Sequence, residues 1–350
     1  MIRTLELTNF TVFERAKMQL SPRINVIIGA NSTGKTHVLK SLYSIAGHEV
    51  GNLDRESEKK EAIAKDVSDR LLRAFMPHED KLGRLRRTSA SGPAEIAISF
   101  ADDATLTVSF NSNSKRVSVG ETATGLPTPV LIPTKEVLSF SKGFTSLYEK
   151  YSLSFDQTYF DICNLLDLPE RRADSLHEKS KWAIEEIERV CGGKFIFYGG
   201  GNVTFKTTDA EYSANAMAEG FRKAGMLSRL LQTGAIQPGQ GGVLLWDEPE
   251  TNLNPRLMGL LVEILLELSR QGQQIVIATH EYVILKWFDL LSLDAEEDHI
   301  LYHSLHVNES GSVSIATTEN YLQIQPNPIA DTFEELTKAQ LQKQISGEAK

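Results

Sequence analysis

Gly29-Ala30-Asn31-Ser32-Thr33-Gly34-Lys35-Thr36 fits the pattern G-x-x-x-x-G-K-[ST] and follows directly on the apolar run Ile24-Asn25-Val26-Ile27-Ile28. A buried strand therefore feeds a turn, and the turn feeds a helix with apolar positions at Val38, Leu39 and Leu42. Two glycines let the backbone fold around a polyphosphate with successive N–H groups pointing inward and no Cβ in the way. The helix beginning near Lys35 adds the positive end of its dipole. Lys35 suits the β- and γ-phosphates, and the hydroxyl of Thr36 suits a Mg²⁺ ion. The stretch reads as a cradle for a nucleotide.

Around this cradle the chain has 350 residues, an ordinary apolar fraction and a net charge of −9. That acidity argues against a surface coated for nucleic acid, because phosphate affinity comes from clustered Lys and Arg. No apolar run reaches the roughly 18 to 20 residues that span a bilayer, and Met1-Ile2-Arg3-Thr4-Leu5-Glu6 shows no signal-peptide core. The expectation is a cytoplasmic protein with no membrane partner. Cys163 and Cys191 lie far apart without metal-ligand spacing and read as buried thiols.

Upstream of the cradle, residues 2–28 read as three strands, with Ser21-Pro22-Arg23 turning into the buried third. Downstream, residues 53–76 are charged and then amphipathic through Val67, Leu71, Leu72 and Phe75, and Pro77 ends that helix. Lys81, Arg84, Arg86 and Arg87 follow. They fit either a solvated loop or a contact to nucleic acid or an acidic partner. Residues 94–119 alternate as an antiparallel meander, and Val130-Leu131-Ile132-Pro133 is a short buried strand returning to the core. From Lys135 to Cys191 the pattern is helical, with Trp182, Ile184, Ile187 and Val190 as its apolar stripe. A hairpin crosses Gly199-Gly200-Gly201. The last part then has the strand–helix rhythm of a parallel sheet, closed by an amphipathic helix around Ala330 to Ile345.

Two of those late strands carry chemistry. Val243-Leu244-Leu245-Trp246-Asp247-Glu248 is an apolar strand ending in adjacent carboxylates. A parallel sheet buries such a strand and delivers its C-terminal residues to the ligand crevice. Asp247 is then placed to hold the Mg²⁺ that Thr36 also touches, and Glu248 to orient or deprotonate an attacking water. Ile275-Val276-Ile277-Ala278-Thr279-His280 presents His280 in the same way, toward the γ-phosphate, the water or Glu248. His299, His303 and His306 are close in sequence, but His303 and His306 fall on opposite faces of a strand and no Cys accompanies them, so a metal site is not read there.

The order of Gly29 to Thr36, Asp247-Glu248-Pro249-Glu250 and Thr279-His280 resembles the ABC-type ATPase superfamily. Leu5-Glu6-Leu7-Thr8-Asn9-Phe10, with Asn25 to Asn31, resembles its RecF, SMC and overcoming-lysogenization-defect branch. The resemblance covers about residues 1–46 and 205–306. It implies an α/β fold: a P-loop NTPase head with an N-terminal antiparallel β subdomain, a mixed or parallel core sheet and an inserted α+β lobe. On that basis residues 1–51 form the first part of the head, 52–205 the insertion, 206–325 the second part and 326–350 a C-terminal helix. Pro133-Thr134-Lys135-Glu136 and Asp247 to Leu253 are similar to stand-alone ATPases of anti-phage systems such as Septu and PARIS, which hold a separate nuclease or toxin.

The resemblance further implies Mg·ATP bound by Gly29, Ala30, Asn31, Ser32, Thr33, Gly34, Lys35 and Thr36, and covered by the signature helix of a second head in a homodimer or larger homo-oligomer. The candidate signature is Met217-Ala218-Glu219-Gly220-Phe221-Arg222-Lys223, with Ala218 where the family has serine and Glu219 where it has glycine. Contacts there fall to Glu219, Gly220 and backbone N–H groups. No glutamine follows the 130–133 strand, which leaves Gln157 as the stand-in for the family's glutamine loop. Four readings stand: an ATPase controlling an effector, a RecF-like ATPase on DNA, a transporter subunit, and a nucleotide-gated scaffold.

Overall fold

The computed structural model describes residues 1–48, 55–123, 127–239, 241–293, 296–309 and 311–345. Strands β1 (Ile2–Phe10) and β2 (Phe13–Gln19) pair as an antiparallel hairpin. Strand β3 (Ile24–Gly29) is buried along its whole length and runs into helix α1 (Lys35–Ile45). Helix α2 (Glu56–Phe75) buries Ile63, Val67, Leu71 and Ala74 and stops at Met76, whose left-handed backbone turns the chain one residue before Pro77.

The meander is β4 (Ala94–Phe100), β5 (Thr105–Phe110) and β6 (Ser118–Val119). It is not a separate sheet: β4 pairs with β1, Leu7 opposite Ile96, and a five-stranded antiparallel sheet results with the order β2-β1-β4-β5-β6. Residues 94–119, read from the sequence as part of the insertion, thus share the N-terminal sheet. Strand order is a long-range property that alternation alone does not report. The division expected between residues 51 and 52 lies outside the described residues.

Strand β7 (Val130–Ile132) returns to the core, followed by α3 (Phe144–Lys150), α4 (Gln157–Asp167) and α5 (Glu178–Cys191). The buried face of α5 is Ser180, Ala183, Ile187 and Cys191, with Trp182 and Ile184 half-buried beside it. This corrects the stripe read through Trp182 and Val190: three- and four-residue steps favour the smaller side chains, which let α5 sit close to its neighbours. Three short strands, β8 (Lys194–Phe197), β9 (Val203–Lys206) and β10 (Glu211–Ser213), form a small antiparallel sheet before α6 (Glu219–Thr233).

Then come β11 (Leu244–Asp247), α7 (Pro255–Arg270), β12 (Ile275–Ala278), α8 (Tyr282–Leu291), β13 (Ile300–Val307), β14 (Val313–Thr318) and α9 (Pro328–Ile345). Helix α7 starts where it does because the Asn254 side chain accepts from the Leu257 N–H at 2.9 Å and Pro255 occupies the first turn.

The core sheet has the order β14-β13-β3-β12-β11-β7, parallel except for β14. Strands β3, β12, β11 and β7 are buried on both faces, and their side chains alternate between two cores. Val26, Ile28, Trp246 and Ile277 face the core under α5, α6 and α7, while Ile27, Leu245, Val276 and Ala278 face α1 and the antiparallel sheet. His303, on β13, is a core residue that hydrogen-bonds Asn25 at 3.2 Å and Thr317 at 2.9 Å, and burial pushes its imidazole down to about 3. Gln274 ties the edge of this layer to the N-terminal strand by bonding both Ile2 main-chain groups at 2.7 and 2.8 Å.

Ile277 is fully enclosed between β3 and β11. Ile277→Ala should therefore cost about 2–5 kcal/mol of stability, read from the midpoint shift in urea unfolding.

Candidate nucleotide site

Strands β3, β12 and β11 run parallel with Val26, Ile277 and Trp246 in one row, so the residues after their C-terminal ends emerge along one edge. Those residues are the 29–36 loop, His280 and the Asp247–Glu250 segment. Gly29 has φ +153°, and a Cβ there would lie 2.5 Å from the Leu305 carbonyl oxygen of β13. Gly34 has φ +92° and caps α1 with no side chain of its own. Both positions demand glycine. Ala30, Asn31 and Ser32 are exposed, Ser32 with φ +66°, while the Thr33 hydroxyl donates back to Ala30 at 2.9 Å. Lys35 is buried, and its Nζ donates to the carbonyls of Gly29 and Ala30 at 2.8 and 3.1 Å. Burial lowers the pKa of its ammonium, against the opposing pull of Glu248, Asp247 and Glu250.

Asp247 is where the separate segments meet. Its Oδ2 accepts the Thr36 hydroxyl at 2.8 Å and the Thr134 hydroxyl at 3.1 Å. Its Oδ1 is buried without a hydrogen-bond partner, and burial raises the carboxyl pKa, the two hydroxyls acting against that rise. One carboxylate and two hydroxyls, with an orphan oxygen among them, are hard donors of the kind Mg²⁺ takes together with phosphate oxygens. The set fits the ion, and no histidine or cysteine is needed. Among the described residues no cluster of three His, Cys, Asp or Glu side chains gathers to hold a metal by itself.

Glu248 is 29 % exposed, and its Oε1 lies 3.2 Å from Nδ1 of His280. The backbone of Glu248 sits in the left-handed region at φ +47°. Glu250, in contrast, is 4 % exposed. Its Oε1 accepts the Thr279 hydroxyl at 2.7 Å and the His280 N–H at 3.1 Å, and burial raises its pKa. The first of the two glutamates faces the open crevice beside the imidazole, and the second fixes the strand end that carries it.

Glu219 and Gly220 open α6 in a different place. Gly220 packs on the turn after Glu248, where an added Cβ would lie 2.6 Å from the Asn252 carbonyl oxygen. Ala218 is exposed and caps the helix without a side-chain bond. Gln157 heads α4 and donates to Asp161 at 2.6 Å. After β7 it is Thr134 whose side chain meets Asp247. Sequence reasoning carried Thr134 and Glu250 only inside quoted motifs, and Arg222 and Lys223 only inside the candidate signature, with no contact assigned to their side chains. A hydroxyl two residues past a buried strand was the available signal for Thr134, and a lysine on the candidate signature helix carried none.

The basic cluster is largely committed to the chain itself. Arg86 donates to the carbonyls of Gly92, at 2.7 Å, and Ala90, and Arg87 to that of Val12 at 2.9 Å. Lys81 and Arg84 share Glu79 at 2.7 and 3.4 Å. Among the described residues no helix is long and apolar enough to cross a membrane.

Residues 1–181 match the family described as AAA ATPase domain. Residues 146–286 match one described as "AAA domain, putative AbiEii toxin, Type IV TA system". The DNA replication and repair protein RecF of Clostridium botulinum is 31% identical over 78 residues, 22% of this chain and 21% of that protein. RecF of Bacillus velezensis is 38% identical over 65 residues, 19% and 17% of the two chains. The chain thus spans about a fifth of the length of these curated relatives. In overall fold it is similar to an Smc head bound to the C-winged helix domain of ScpA, with TM-score 0.55, 13% identity and coverage of 91% and 97%. It is likewise similar to the Smc head domain with a coiled coil and joint from Pyrococcus yayanosii, with TM-score 0.53, 10% identity and coverage of 96% and 99%.

Thr134→Ala should leave ATP binding without Mg²⁺ unchanged and weaken the Mg²⁺-dependent part about tenfold, read by titrating a fluorescent ATP analogue at stepped Mg²⁺ concentrations. Lys35→Ala should weaken ATP about ten- to hundredfold with or without the metal, the loss of a bond to a charged group. Equal metal dependence in wild type and Thr134→Ala would remove Thr134 from the site.

Proposed function

The chain belongs to the AAA ATPase domain family, and from that membership we propose that it is of the ABC-type RecF/SMC branch, binds Mg·ATP in the 29–36 loop and hydrolyses it. The observation that carries the reading is the meeting of three strand ends: Thr36 on Asp247 at 2.8 Å, and Glu248 beside His280 at 3.2 Å. Lys35 and the loop amides hold the phosphates. Thr36, Thr134 and Asp247 would hold the cation, which when bound would supply positive charge against the phosphate oxygens. Glu248 takes the proton of the attacking water, and His280 fixes the glutamate's orientation through Nδ1.

The lid comes from a second copy. Exposed Ala218 and the uncapped first turn of α6, with Glu219 and Gly220, offer backbone N–H groups and a positive dipole end to a γ-phosphate held by another head. Head-to-tail closure then converts ATP occupancy into assembly or release of a partner effector. A match to a family whose description includes a toxin supports a defence or toxin–antitoxin setting for that partner.

Similarity to RecF favours a second reading, an ATPase that engages DNA directly. Only Lys81 and Arg84 of the basic cluster are exposed, and both lean on Glu79, so the electrostatic footprint is small. Duplex binding that falls steeply with salt and disappears on replacing Lys81 and Arg84 would favour this reading over the first.

Glu248→Gln should bind ATP with near-wild-type affinity, hydrolyse it about 10²- to 10⁴-fold more slowly, and accumulate as an ATP-bound dimer in size-exclusion light scattering. Unchanged turnover would remove Glu248 as the base.

A further inference from the structure

The N-terminal part of α6 carries two basic side chains that point into the molecule, Arg222 and Lys223. Arg222 donates to Glu136 at 2.8 Å and to the Met217 carbonyl, and Glu136 lies two residues beyond Thr134. Lys223 is 1 % exposed. Its Nζ donates to the main-chain carbonyl of Glu248 at 2.8 Å and reaches that of Thr251 at 3.4 Å.

An ammonium is an expensive way to fill space in a protein interior, and burial lowers this one to about 8 although Glu250, Glu219, Glu248 and Asp247 all pull the other way. A methionine would occupy a similar volume at less cost. What only the ammonium provides is a fixed point on Glu248. That residue holds a left-handed backbone conformation, φ +47°, which strains a non-glycine residue and persists only where its surroundings over-determine it. Three bonds do so here. The Glu248 N–H donates to Ala278 at 2.8 Å, the Thr251 N–H donates to the Glu248 carbonyl at 3.2 Å, and Lys223 donates to that same carbonyl. Two belong to the strand end and its turn, and the third arrives from α6.

We propose that Lys223 is a positioning residue that ties the start of α6 to the main chain of Glu248 and so holds the backbone that carries the glutamate. The inference rests on the ATPase reading above and adds to it a residue that acts only through Glu248.

The test compares wild type, Lys223→Met, Lys223→Arg, Glu248→Gln and the Lys223→Met/Glu248→Gln double variant, reading ATP-analogue affinity, single-turnover hydrolysis and thermal midpoint. Lys223→Met should bind ATP within about twofold of wild type while hydrolysis falls about ten- to hundredfold, the scale of a misplaced reacting group. Lys223→Arg should recover much of that loss. In the Glu248→Gln background the lysine change should add nothing, because it acts only through that residue. Wild-type hydrolysis in Lys223→Met, a parallel loss of ATP affinity, or losses that multiply in the double variant would each overturn the tether. Wild type no faster than Glu248→Gln would overturn the ATPase reading and the tether together. Wild-type turnover that Glu248→Gln abolishes and Lys223→Met spares would overturn the tether alone. Should Lys223→Met not fold, Lys223→Gln, with a neutral donor on a shorter stem, carries the same readings.

Discussion

Parallel pairing of β3, β12 and β11 is the constraint on which the rest of the structure depends. The three strands lie in register through Val26, Ile277 and Trp246, and side chains alternate into two different cores. A slip of one residue would exchange those faces, putting Trp246 where Leu245 packs and carrying Asp247 away from Thr36. The same burial that fixes the sheet fixes the spacing of the phosphate loop, the aspartate and the histidine. Positions in the crevice are set from within the core, to the accuracy with which the core is packed.

At the edge of that sheet, Asp247, Glu248 and Glu250 crowd into four residues, a concentration of negative charge that needs separate solutions for each group. Asp247 is held by two hydroxyls and keeps one oxygen unspent. Glu250 is enclosed and takes Thr279 and the His280 main chain. Glu248 stays partly solvated next to an imidazole. Lys35 and Lys223 flank the group, the first on the loop side and the second from α6, and both donate to main-chain carbonyls. Three carboxylates close in sequence therefore stand in three environments, and environment makes chemically equal groups different in exposure and partners.

The middle of the chain joins the head through polar as well as apolar contacts. Asp156 caps α4 through Thr158 and meets Lys40 of α1 at 2.7 Å in a largely enclosed pair. Glu136 receives Arg222 of α6. Residues that look like an independent insertion in the sequence are thereby fastened to both helices bordering the crevice. The N-terminal sheet has a comparable link through Gln274.

The sequence by itself determined the glycine-bounded 29–36 loop between a buried strand and a helix, the two apolar strands that end in Asp247 and Thr279, and the family. All of these rest on local pattern: a glycine spacing and apolar runs of strand length. It did not report which strand the 94–119 meander joins, which face of α5 turns inward, or that the Arg86 and Arg87 side chains close carbonyls of their own fold. Nor did it give Thr134, Lys223 or Glu250, each inside a quoted motif, a partner. Their roles come from partners 113, 25 and 29 positions away. Only the tertiary structure decides such contacts, because a hydroxyl or an ammonium carries no periodic signal and gains its meaning from the groups that burial places against it.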